Sequence, residues 1–112
     1  MDERNSVLLV ICNVPDADAA RGMAETLLAR QLAACVNVLP PVQSYYRWQG
    51  RIEHAVETTL LIKTTVMRYP ALEAALQELH PYDVPEIIAV PVAAGLPAYL
   101  DWVNSETERD AQ

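Results

Sequence analysis

The apolar run Val7-Leu8-Leu9-Val10-Ile11-Cys12 has no polar alternation. Such a run predicts a strand over Ser6 to Val14 that is covered on both faces. Pro15 and Asp16 then open a helix, with Asp16 or Asp18 able to cap its free N–H groups. Ala20, Met23, Ala24, Leu27 and Leu28 recur at helical spacing, and Arg30 stands in the last turn, where the helix dipole favours a cation. Gly22 costs about 1 kcal/mol against alanine inside that helix, for which close packing is the available reason.

Cys35 to Leu39 reads as a second strand, interrupted by Pro40-Pro41, which confines that point to an edge or a bulge. Pairing resumes from Val42 to Trp48, turns at Gln49-Gly50 and returns as a third strand over Arg51 to Thr65. A second helix spans about Met67 to His80, with Pro70 tolerated in its first turn and a stripe of Tyr69, Leu72, Ala75, Leu76 and Leu79. Pro81 disfavours helical geometry at His80 and ends the helix. Pro85 stiffens the approach to a fourth strand over Glu86 to Val92, leaving a rigid polar corner from His80 to Glu86. Gly95 and Pro97 restart a short helix carrying Leu96, Tyr99, Leu100 and Val103.

The order β-α-β-β-α-β plus a terminal helix predicts an α+β, ferredoxin-like fold with a long projecting hairpin. Residues 1–112 read as one such domain, its ordered part about 6–107, with frayed polar ends. Two features make a lone chain incomplete. The first strand is apolar on both faces, whereas the helices cover one. The hairpin arms of about 15 residues reach roughly 50 Å, while a helix of about 15 residues covers about 22 Å. The outer hairpin, with Tyr45, Tyr46 and Trp48, is an unpaired ribbon that needs a partner, and a second copy of the chain is the simplest one.

Composition narrows the function. A net charge of −7 and a pI near 4.6 oppose nucleic-acid binding, which needs a basic face. A hydrophobic fraction of 52% with mean hydropathy +0.06 is globular. No apolar run approaches the ~20 residues of a membrane span. Asp2, Glu3 and Arg4 do not make the basic start of a signal peptide, and two cysteines make no disulfide framework. These features predict a reduced, cytoplasmic protein with no membrane partner.

The candidate chemistry is sparse. Cys35 is either a buried small hydrophobe or a soft ligand for copper or zinc, or a reactive thiolate. Counting back from the Gln49-Gly50 turn sets it near Lys63. Cys12, mid-strand, reads as core. His80 is either a cation at the negative end of the second helix or a metal ligand. Glu86 is a ligand, an acid/base group or a carboxylate bonding a backbone N–H at the start of its strand. Cys35, His80 and Glu86 together offer thiolate, imidazole and carboxylate, a set suited to a divalent cation. The fold separates Cys35 from the corner by about 20 Å, so a site using both needs two subunits. His54 reads as a solvated or interface residue, and Tyr45, Tyr46 and Trp48 as interface anchors. HxH, HExxH, CxxC and Ser-His-Asp patterns and phosphate-cradling glycine loops are absent from the sequence, so an enzyme is not expected.

Five stretches resemble the divalent-cation-tolerance (CutA) family from about Val7 to Val103. They are Leu32-Ala33-Ala34-Cys35-Val36-Asn37, Ser44-Tyr45-Tyr46-Arg47-Trp48-Gln49-Gly50, Ile62-Lys63-Thr64, His80-Pro81-Tyr82 with Pro85-Glu86-Ile87, and Tyr99-Leu100-Asp101-Trp102. The resemblance implies a tight cytoplasmic homotrimer laced by its hairpins, tolerance of copper and other divalent metals, and metal binding, with no obligatory cofactor. The trimer so implied is similar to nitrogen-regulatory (PII-like) signalling proteins. A second reading is therefore a signalling trimer that holds a small metabolite in the cleft between subunits, lined by Lys63, Tyr82 and Glu57 with Glu86 nearby.

Overall fold

The computed structural model of the protein describes residues 6–108. Its elements run β1 (Val7–Val14), α1 (Ala17–Ala29), β2 (Cys35–Val38), β3 (Val42–Trp48), β4 (Arg51–Thr65), α2 (Tyr69–Leu79), β5 (Ile87–Pro91) and α3 (Pro97–Thr107). The sheet is antiparallel in the order β2-β4-β1-β5, and β3 pairs with the outer part of β4. This is the ferredoxin-like arrangement that the pattern of the chain predicts. The expected fraying of residues 1–5, and of the tail over 109–112, lies outside the described residues.

Local chemistry explains the boundaries. Asp16 is the N-cap of α1 and accepts from the Ala19 N–H at 2.8 Å. Arg30 falls one residue past the last turn as the C-cap, where its guanidinium reaches Glu78 at 3.6 Å. Helix α2 starts two residues later than expected, because a turn over Thr65–Arg68 precedes it and Arg68 N–H bonds Thr65 O. It ends as Pro81 dictates: His80 is extended and its N–H closes the helix on Leu76 O. Gly22 has open space where a Cβ would stand, so close packing does not explain it. The crowded glycine is Gly95, where a Cβ would lie 3.1 Å from the Leu100 side chain.

Even-numbered positions of β1 and β4, among them Val10, Cys12, Leu60 and Ile62, point to the helices and form the core with Met23 and Leu27 of α1 and Leu72 and Leu76 of α2. Each fully buried leucine contributes about 1.5–3 kcal/mol relative to exposure. Leu28, expected on the apolar stripe, is exposed instead. The odd-numbered positions form a second face. Helix α3 lies over β4 and β1 at one end of it, where Val7, Thr65, Val103 and Thr107 are buried. The rest is bare: Leu9, Ile11 and Leu61 are half-buried, and Ile88 and Val90 of β5 are 50% and 46% exposed. Cover on both faces of β1 is thus met on one face and one end only within a single chain.

Strand β1 pairs with Thr58–Thr65 of β4, so the β3–β4 hairpin from Val42 to Glu57 projects as a two-stranded ribbon. Its seven paired residues per arm extend about 24 Å, within a body 46 Å in its longest dimension. Gln49 and Gly50 both have positive φ, 50° and 78°, the two-residue hairpin turn whose twist matches the strands.

Candidate functional site

The corner after α2 is built on Asn13, one residue before the end of β1. His80 is buried, and its Nε2 lies 2.7 Å from the Asn13 carbonyl oxygen. Its Nδ1 accepts from the Tyr82 N–H at 3.1 Å, which leaves the ring hydrogen on Nε2, donating to Asn13. The side chain of Asn13 works in the other direction. Its Nδ2 donates to Glu86 Oε1 at 3.1 Å, and its Oδ1 accepts from the Thr59 hydroxyl at 2.6 Å. The Tyr82 phenol donates to Glu57 Oε2 at 3.1 Å, and its ring packs on His80 at 4.7 Å between centroids. Burial, and then the bonded Glu57, push the Tyr82 phenol above its usual range, so it stays a donor.

This geometry revises two readings of single residues. His80 joins α2 to β1 through its ring, where a helix-end cation was one expectation. Both its ring nitrogens have partners, so metal ligation would cost one of those bonds. Glu86 accepts from a side-chain amide in place of the expected backbone N–H. Glu57 is buried to 9% exposure, where a hairpin carboxylate would ordinarily be solvated.

The other cluster sits at the opposite end of the second face. The register pairs Cys35 with Lys63, one residue from the Thr64 that an unbroken count from the turn gives, because the break over residues 39–41 shifts β2 by one against β4. Lys63 Nζ lies 3.8 Å from Cys35 Sγ. Asn37 Oδ1 accepts from the same ammonium. Burial, and then Cys35, push the Tyr99 phenol of α3 above its usual range. Asn13 and Thr59 were not singled out in sequence, and Asn37 and Tyr99 only within stretches that carry the family resemblance. For Asn13, Asn37 and Thr59 the only local signal is a polar side chain set in an apolar strand; Tyr99 lies on α3.

The two clusters are separate. Lys63 pairs with Leu9 and Thr59 with Asn13, four residues along β1, about 13 Å of strand. Cys35 is on the β2 edge while Glu86 precedes β5 at the other edge, which brings the separation to the order of 20 Å. Lys63 is likewise six residues from Glu57 along β4, roughly 20 Å, so a single chain does not bring it to Tyr82 and Glu57. Among the described residues no three His, Cys, Asp or Glu side chains form a metal-holding group. On the hairpin, Tyr46 and Trp48 are exposed, and Tyr45 stacks on His54 at 5.1 Å. A cleft of about 690 Å³ lies between α2 and α3, beside Arg68, Leu100 and Asn104, and contains none of the residues chosen from sequence.

No helix among the described residues is long and apolar enough to cross a membrane. The family model described as CutA1 divalent ion tolerance protein matches residues 8–106. The divalent-cation tolerance protein CutA of Thermus thermophilus is 46% identical over 99 residues, covering 88% of this chain and 96% of the relative. The crystal structure of CutA from Xylella fastidiosa superimposes with a TM-score of 0.90 at 46% identity, over 92% of this chain and 99% of that one. A structure from Archaeoglobus fulgidus, described as a periplasmic divalent cation tolerance protein CutA, gives 0.88 at 32% identity, over 91% and 99%. The chain belongs to the CutA1 divalent ion tolerance family.

Proposed function

We propose that this protein is a cytoplasmic homotrimer that binds divalent cations, copper among them, where subunits meet, and thereby serves tolerance of those metals. One observation carries the assembly: the bare apolar face of Leu9, Ile11, Ile88 and Val90 beside a hairpin that, among the described residues, pairs only between its own arms. Apolar faces of that kind mark interaction surfaces, and an unpaired ribbon needs a partner. The count of three follows the family resemblance. Unpaired thiols at Cys12 and Cys35 agree with a reducing compartment. The role is binding, with no catalytic step.

Because Cys35 and the Glu86 corner lie at opposite ends of one chain, a shared cation site takes Cys35 from one subunit and Glu86 and His80 from its neighbour. His80 then gives up its bond to Asn13 or Tyr82 on ligation. Light scattering should return a mass close to three times 12.4 kDa that persists on dilution to micromolar protein; a stable monomer overturns the reading. Cys35→Ser and His80→Ala should each weaken copper binding under reducing conditions, with losses that do not add because both ligate one ion. Unchanged affinity in both variants removes the shared site. The second reading, a PII-like metabolite site, is favoured by one feature: the Lys63 ammonium on a face that a neighbour's Tyr82 and Glu57 can meet. Stabilisation by an anionic metabolite and by no metal, in a thermal-shift screen, would select it.

A further inference from the structure

The face of the sheet that α1 and α2 leave uncovered carries an opposite charge at each end. Glu57 and Lys63 are odd-numbered positions of β4 and stand on that face, roughly 20 Å apart. Leu61 lies between them, and Ile11 of β1 lies beside Leu61. No ion pair among the described residues includes either charge. Each is oriented instead by a neutral group on its own chain. Asn37 accepts from the Lys63 ammonium, and the Tyr82 phenol donates to Glu57 Oε2 at 3.1 Å. Glu57 is nonetheless only 9% exposed, and a buried carboxylate without a cation is costly. Its field reaches Cys12, whose thiol is pushed up to about 12 by burial and then by Glu86 and Glu57.

We infer that these charges are the two halves of one ion pair between copies of the chain: Lys63 of each subunit meets the partner subunit's Glu57. The inference rests on the assembly proposed above, and on neither its cation nor a metabolite. A second copy is the occupant that the face itself specifies, because unlike charges flank one apolar strip. Copies laid in the same register would set ammonium on ammonium and carboxylate on carboxylate, which repel. A head-to-tail contact brings the unlike ends together, so the pair fixes the register of the interface.

Each subunit gives its Lys63 to one neighbour and takes another's at Glu57, so a closed ring leaves neither charge over. The apolar strip supplies the burial, and the charges decide how the copies align. Asn37 and Tyr82 are positioning residues here. By holding the ammonium and the carboxylate before contact, they lower the cost of ordering the pair. Lys63 Nζ also lies 3.8 Å from Cys35 Sγ, and Tyr82 packs on His80. The same contact therefore brings Cys35 of one subunit towards the corner of the next.

The test is a double-mutant cycle on the dissociation of the dialysed, metal-free full-length protein, followed by light scattering on dilution. Lys63→Gln and Glu57→Gln should each raise the dissociation constant on the order of tenfold, and the double variant no further than either. Groups this far apart in one chain act additively on its folding, so the coupling arises across the contact. Where Glu57→Gln does not fold, Lys63→Gln against Lys63→Arg decides: the variant that keeps the charge should assemble like the parent. An oligomeric parent whose dissociation the substitutions leave unchanged, or change additively, overturns the ion pair and leaves the assembly standing. Coupling that appears only with an added anionic metabolite also overturns it. A monomeric parent overturns the assembly itself.

Discussion

The imidazole of His80 and the backbone carbonyl of Asn13 meet at 2.7 Å, across 67 residues of sequence. This bond fixes the end of α2 to the end of β1, and it hands the other ring nitrogen to the Tyr82 N–H. The corner is therefore held by an imidazole with two assigned roles, and Tyr82 reaches Glu57 because of it. His80→Ala removes both bonds and leaves the Asn13 carbonyl short of its donor inside the fold. The expected loss is about 1–3 kcal/mol in urea denaturation. Tyr82→Phe should lose less, on the order of 1 kcal/mol, with coupling to His80→Ala in a double-mutant cycle. Simple additivity of the two would mean that the corner does not act as one unit.

The alkaline limb of stability should carry the signature of Cys12. Its folded thiol stands at about 12, against an ordinary 9.0. The unfolded chain gives up this proton first as pH rises. The stability from the protonated, buried thiol is complete below 9.0 and is lost as pH climbs through about 12. Tyr82, raised above its ordinary 10.0 by burial and then Glu57, acts in the same direction. For Cys12 this is a slope of about 1.4 kcal/mol per pH unit between its two values. Cys12→Ala should flatten the decline measured by chemical denaturation across that window. A slope unchanged by the substitution would mean that Cys12 titrates alike in both states.

The hairpin makes a separate prediction. Trp48 is 58% exposed at the end of β3, and as an aromatic anchor in the proposed assembly it is worth about 2 kcal/mol per interface. Trp48→Ala should raise the concentration at which the oligomer dissociates, read by light scattering on dilution. Gly50→Val, at a φ of 78°, should strain the turn by about 1–2 kcal/mol and weaken assembly along with it. If Trp48→Ala leaves dissociation unchanged, the indole is an exposed tip residue.

The sequence by itself determined the elements and their order. Apolar periodicity, the Asp16 cap, the prolines at positions 40, 41, 81 and 85 and the Gln49-Gly50 turn all act over a few residues, so they are legible in the chain. The turn fixes the register of β3 against β4, which set Cys35 near Lys63, but the break over residues 39–41 shifts β2 by one residue and so decides that Cys35 meets Lys63 rather than Thr64. What only the tertiary structure decided is which polar groups meet across long separations. Asn13 reaches Thr59 and Glu86 over 46 and 73 residues, and nothing near it in sequence announces that role. The burial of Glu57 follows from the corner folding over the root of the hairpin, which its alternating neighbours do not reveal. Tyr99 arrives at Cys35 because α3 crosses the second face of the sheet. A terminal helix can dock in several ways on such a face, and packing, which sums many weak contacts over the whole surface, selects one.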